Sequence, residues 1–264
     1  MHSWSHSKLN SEGRQRNLHR GVVGHSERLP GSAWFRRHKA ALVTTYWGVT
    51  ASLFIAGLLM LILYTPLEST FGPVQRVFYL HLPTAICTFV AAFTLFVASS
   101  GYLWSRSMKW DDLAHSSGKV TVLFCTVVLF SGMIWGKSEW GAWWTWSPRL
   151  TFSLILWVLY VVYLAVRIVI QSPTRRASVC AVYGLAAFID VPLVYVSVKL
   201  IPDIHPSSIE LNSAMQLTLF VWSFAIPMLM VGLIVAGYSV HLRERTCASE
   251  DIGSESSYEH EGDQ

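Results

Sequence analysis

Five of the chain's twelve tryptophans fall within twelve residues, from Trp135 to Trp146. The segment reads Trp135-Gly-Lys-Ser-Glu-Trp140-Gly-Ala-Trp143-Trp144-Thr-Trp146-Ser-Pro-Arg149-Leu-Thr151. Trp140, Trp143 and Trp144 stand at i, i+3 and i+4, so a helical turn here would gather them into one aromatic face. Such a face suits a large, planar, amphipathic ligand arriving from lipid. The competing reading is an interfacial belt, because tryptophan is enriched at both headgroup levels of a bilayer. A belt scatters its rings over many helix ends, whereas these crowd one connection. Composition leaves both readings open.

Two histidines fall on the same side of the membrane as this segment in the topology set out below. His81 opens an apolar run in Tyr79-Leu80-His81-Leu82-Pro83, and His205 lies in the last external connection, in Asp203-Ile204-His205-Pro206. A neutral imidazole is a common axial ligand of haem iron. A porphyrin also offers a flat apolar face to tryptophan and two propionates to a cation such as Arg149. His81 and His205 are therefore candidate iron ligands, and Trp135, Trp140, Trp143, Trp144, Trp146 and Arg149 candidate contacts. The other eight histidines lie in the tails or on the opposite side. Gly136-Lys137-Ser138 imitates the end of a P-loop, but the Gly that motif needs five positions earlier is Ser131. Cys87, Cys125 and Cys180 sit in apolar runs and form no CxxC pair, which argues for small buried hydrophobes rather than a disulfide or thiol relay.

The elements that must position these groups are membrane spans. Of 264 residues 52% are hydrophobic and 14% charged, where soluble domains carry about 25% charged residues. Six runs reach or approach the roughly 20 apolar residues a spanning helix needs: 41–64, 77–103, 120–136, 151–170, 177–201 and 214–240. The third is the shortest. The fold expected is all-α, an integral membrane protein with six transmembrane helices and the tryptophan-rich segment between helices three and four. With the N-terminus inside, sixteen Lys and Arg fall in cytoplasmic segments against four outside, so both termini are expected to be cytoplasmic. Residues 1–40 hold eight basic and two acidic residues, and residues 241–264 hold two basic and seven acidic. These flanks of the membrane domain at 41–240 are expected to be disordered tails. The first apolar run is expected to stay as an uncleaved anchor. Pro83, Pro192 and Pro227 should kink or start helices, and Gly132 and Gly136 form a GxxxG spacing compatible with close helix approach. Asp190 is the acidic residue placed deep in a run, where a carboxylate is costly and faces a partner or a water-filled cavity.

The tryptophan segment resembles the signature of the haem-handling proteins of cytochrome c maturation, and the chain as a whole resembles the CcmC family. The matching positions are Trp140, Gly141, Trp144, Trp146, Arg149, Leu150 and Thr151, preceded by Trp135-Gly136. Tyr79-Leu80-His81-Leu82-Pro83 matches the context of the family's first external histidine, His205 its second, and Val191 to Val198 its valine–proline stretch. The similarity covers about residues 41–240. Three positions depart from it: Ser147 replaces the motif's Asp, Asp190 an Asn, and the final external loop lacks a Trp pair. The related CcmF and CcsA-type synthetases have longer chains with more helices.

The resemblance implies a bacterial inner-membrane protein of the system I assembly pathway that is not an enzyme. It would hold haem b at the periplasmic face and present it to the haem chaperone CcmE, working with the transporter subunits CcmA and CcmB and with CcmD. His81 and His205 would ligate iron from opposite sides. Gly141 and the tryptophans would form the floor, and Arg149 would face propionate. Membrane lipid is a further expected partner and nucleic acid is not. The competing functions are a haem-b anchor subunit of a respiratory complex, whose ligands face each other within helices, and a small-solute transporter, whose polar groups lie near the midplane.

Overall fold

The computed structural model describes residues 30–67, 72–200 and 210–262, with side chains over 38–67, 72–197 and 210–248. The chain divides into two compact units, Met1–Tyr46 and Trp47–Gln264. The described part of the first is helical backbone. Across the described residues the helices are α1 (Pro30–Leu59), α2 (Arg76–Ser105), α3 (Met108–Trp140), α4 (Pro148–Val169), α5 (Pro173–Ala187), α6 (Asp190–Leu200) and α7 (Ser213–Gly262), with no strand. A π-helical turn, Met60–Tyr64, closes α1, and a 3₁₀ turn, Pro73–Gln75, opens α2. Six segments are long and apolar enough to cross a membrane, α5 and α6 together supplying the fifth. The all-α, six-span expectation is met.

One detail differs. The third span is not the shortest, because α3 runs over 33 residues. Asp111 and Asp112 lie ahead of the apolar run 120–136, yet both are buried and paired within the helix. Arg167 of α4 grips Asp111 through two hydrogen bonds of 2.7 and 2.8 Å, and Arg245 of α7 bonds Asp112 at 2.7 Å. The fifth span is broken at Phe188–Ile189, with Pro192 in the first turn of α6, where its missing N–H costs no helical hydrogen bond. Helix α7 runs on as helical backbone to Gly262. The Arg245–Asp112 pair and a 3.3 Å contact between Lys119 Nζ and His241 Nε2 hold the stretch from His241 to Arg245 against α3.

Helices α2 and α3 form a hairpin turned by Arg106, at φ 54°, and Ser107. They pack closely at two glycines: a Cβ on Gly101 of α2 would stand 2.6 Å from the Trp110 ring of α3, and one on Gly118 of α3 would stand 3.1 Å from Leu95 of α2, and small residues let helix backbones approach. One core joins α2, α3 and α7 around Tyr79, Phe124 and Trp222, with Phe54 of α1 edge-on to Trp222 at 5.4 Å. A second joins α2 to α4 and α5 around Leu95, Leu156, Tyr160 and Tyr163. The N-terminus of α2, the C-terminus of α3 and the N-terminus of α4 thus share one end of the bundle. The ion pairs of Asp111 and Asp112 lie at the other.

Candidate functional site

At the first of these ends the helices enclose a cavity of about 560 Å³, within the roughly 300–1,000 Å³ usual for small-molecule sites. Its wall is mostly apolar. His81, Trp135, Trp140 and Arg149 all line it. Helical rise of 1.5 Å per residue puts Cys125, which also lines it, about 15 Å below Trp135 along α3. The cavity is therefore a shaft running from the end of the bundle towards its middle.

The His81 ring is set by a neighbour that sequence reasoning missed. His81 Nδ1 lies 2.8 Å from Ser131 Oγ. Ser131 Oγ in turn donates its one proton to backbone carbonyls of its own helix, Val127 O at 2.7 Å and Val128 O at 3.1 Å. With that proton on a carbonyl, Oγ would accept from Nδ1–H. The neutral imidazole then carries its lone pair on Nε2. An imidazole held in this way is the pattern found behind metal-ligating histidines. No sequence signal marks Ser131, which is an ordinary small polar residue in an apolar run, 50 positions from its partner.

The two glycines of the GxxxG spacing make room for rings, Gly132 for one on the neighbouring helix α2 and Gly136 for one on its own helix. A Cβ on Gly132 would stand 3.4 Å from the His81 ring. One on Gly136 would stand 3.0 Å from the Trp140 ring, which folds back along α3 over the gap. Trp135 is buried and meets Phe78 edge-on at 5.9 Å.

The single aromatic face expected from Trp140, Trp143 and Trp144 is not formed. Gly141 takes φ 71° and ends α3, so the chain turns before the spacing can act. Lys137 Nζ bonds the Gly141 carbonyl at 2.8 Å across that turn. Trp143 and Trp146 are 57% and 76% exposed and do not line the cavity; neither do Trp144 and Gly141. Trp144 meets Trp146 edge-on at 5.9 Å. Ser147, where the resembled motif has Asp, is the N-cap of α4, and its buried Oγ makes no capping bond and has no partner among the described residues. Asp190 is buried at the break between α5 and α6, with Oδ2 likewise unpartnered among the described residues. His205 lies outside the described residues.

These observations define a multi-pass helical membrane protein with a ligand-sized cavity at one end, bearing an oriented imidazole, an arginine and two indoles. The chain matches the heme exporter protein C family over residues 26–252 and belongs to that family. It is 31% identical over 141 residues to heme exporter protein C of Rhodobacter capsulatus, covering 53% of this chain and 58% of that protein. The corresponding protein of Bradyrhizobium diazoefficiens is 28% identical over 185 residues, covering 67% and 70%. Cytochrome c biogenesis protein CcsA of a Synechococcus strain is 35% identical over 98 residues, covering 37% and 30%. The chain spans about three fifths of the Rhodobacter relative, on the 58% aligned. The resemblance read from sequence holds at the level of the family.

Proposed function

We propose that this protein binds haem in the cavity and hands it on during system I cytochrome c maturation. His81 ligates the iron through Nε2, with His205 as the second axial ligand. Trp135 and Trp140 line the macrocycle, and Arg149 meets a propionate. The residues present suit this cargo: the walls are apolar, the imbalance of charge is one arginine, and the coordinating nitrogen is set by Ser131. The tryptophan end of the bundle faces the periplasm across the bacterial inner membrane. There CcmE receives the haem, with CcmA, CcmB and CcmD completing the assembly. The protein supplies position rather than a reaction. Trp143, Trp144, Trp146 and Gly141 belong to the face that meets the chaperone and the exposed edge of the haem. Relatives named heme exporter protein C support the cargo.

The observation that carries this reading is the meeting of His81, Trp135, Trp140 and Arg149 around one cavity. Purified protein should show a Soret band of low-spin haem with two imidazole ligands. His81→Ala should retain haem more weakly, with a changed spin state that responds to added imidazole. Tagged protein should also retain CcmE when haem is present. A spectrum unchanged in the His81→Ala, His205→Ala double variant refutes the ligand assignment.

A further inference from the structure

The cavity is not closed on its flank. Ile86 of α2 and Tyr195 of α6 both line it, yet are 53% and 61% exposed. Both belong to spanning segments, so their exposed surfaces face lipid rather than water. The break at Phe188–Ile189 creates this opening. Below it, α5 packs along α2, and Phe188 stacks on Phe96 at 4.6 Å with Phe93 5.8 Å away. Above it, α6 packs on α4, and among the described residues no packing of similar extent joins it to α2. The fifth span therefore seals against the second in one half of the bilayer and diverges from it in the other. Leu82, Ala85, Ile86 and Phe89 line the cavity on the α2 side of this flank and Val194 and Tyr195 on the α6 side, with Ile86 and Tyr195 the exposed pair. Residues 82 to 89 span about 10 Å of helix, a third of a hydrocarbon core roughly 30 Å thick.

We propose that this gap is a lateral portal through which a planar amphipathic ligand enters the cavity directly from the bilayer, with Phe188 as its sill. The inference rests on the haem reading above and adds the route. The gap's edges are apolar along the depth where a macrocycle dissolved in lipid would lie. Arg149, in the first turn of α4, stands at the end of the span, where the carboxylates of such a molecule would sit near the headgroups. The ligand can thus slide sideways onto His81 without its ring crossing water and without its carboxylates entering hydrocarbon.

The test is the rate of haem uptake by the full chain in phosphatidylcholine–phosphatidylglycerol vesicles, followed by the Soret shift. Haem is supplied either dissolved in the same bilayer or bound to albumin in the aqueous phase. Ala85→Trp, which fills the gap, should slow uptake from the bilayer at least about tenfold, equivalent to roughly 1.4 kcal/mol on the barrier. Its effect on uptake from albumin should be smaller. Tyr195→Ala, which widens the gap, should accelerate uptake from the bilayer. If Ala85→Trp slows both supplies equally, or neither, and Tyr195→Ala moves neither, the portal is wrong while the haem site stands. If wild-type protein takes haem from neither supply, the haem reading fails and the portal with it.

Discussion

Replacing Ser131 with alanine removes the group on which the His81 ring is set. In the wild type Nδ1–H meets Oγ at 2.8 Å while Oγ gives its own proton to Val127 O at 2.7 Å. In the variant Nδ1–H faces a methyl group. The ring can then rotate, or its proton can move to Nε2 and occupy the coordinating nitrogen. A lost neutral hydrogen bond costs about 0.5–1.5 kcal/mol. Loss of the partner that orients a ligating imidazole costs about 10–100-fold in metal affinity, or roughly 1.4–2.8 kcal/mol. The two ranges meet near 1.4 kcal/mol, so haem affinity should fall about tenfold. The fold should not suffer, because Ser131 otherwise bonds only carbonyls of its own helix. The assay is haem titration into purified protein, read at the Soret band, beside a thermal unfolding curve. Ser131→Thr, which keeps a hydroxyl, should stay closer to the wild type. A Ser131→Ala protein with wild-type affinity and spectrum would refute the orienting role. If His81→Ala also left both unchanged, His81 would not be the ligand.

Gly136→Ala should lower haem occupancy without changing the iron ligands, because its Cβ would press on the Trp140 ring at 3.0 Å; an altered spin state would contradict this. Trp140→Ala should weaken haem binding more than Trp146→Ala, since the first ring lines the cavity and the second is 76% exposed. Equal losses in a titration would return Trp146 to the cavity. Asp111→Ala should destabilise the protein by about 3–5 kcal/mol, because it strands the buried Arg167 guanidinium. Thermal unfolding in detergent checks this, and an unchanged midpoint would mean that water reaches the pair.

The sequence alone determined that this chain is a helical membrane protein and which family it belongs to. Both are local properties: about twenty apolar residues suffice to span hydrocarbon, and the tryptophan signature lies within one short segment. The length of α3 was not legible, because Asp111 and Asp112 look like solvent-facing breaks until their partners arrive from 56 and 133 positions away. The tryptophan spacing misled for a related reason. A period of i, i+3, i+4 describes a face only while the helix lasts, and Gly141 ends it at Trp140. Which indoles line the cavity therefore followed from a single backbone angle. The partnership of His81 with Ser131 and the divergence of α6 from α2 are tertiary facts. The first needs α2 and α3 side by side in one register. The second depends on which neighbour each half of a broken span finds to pack against, and no periodicity within the span records that choice.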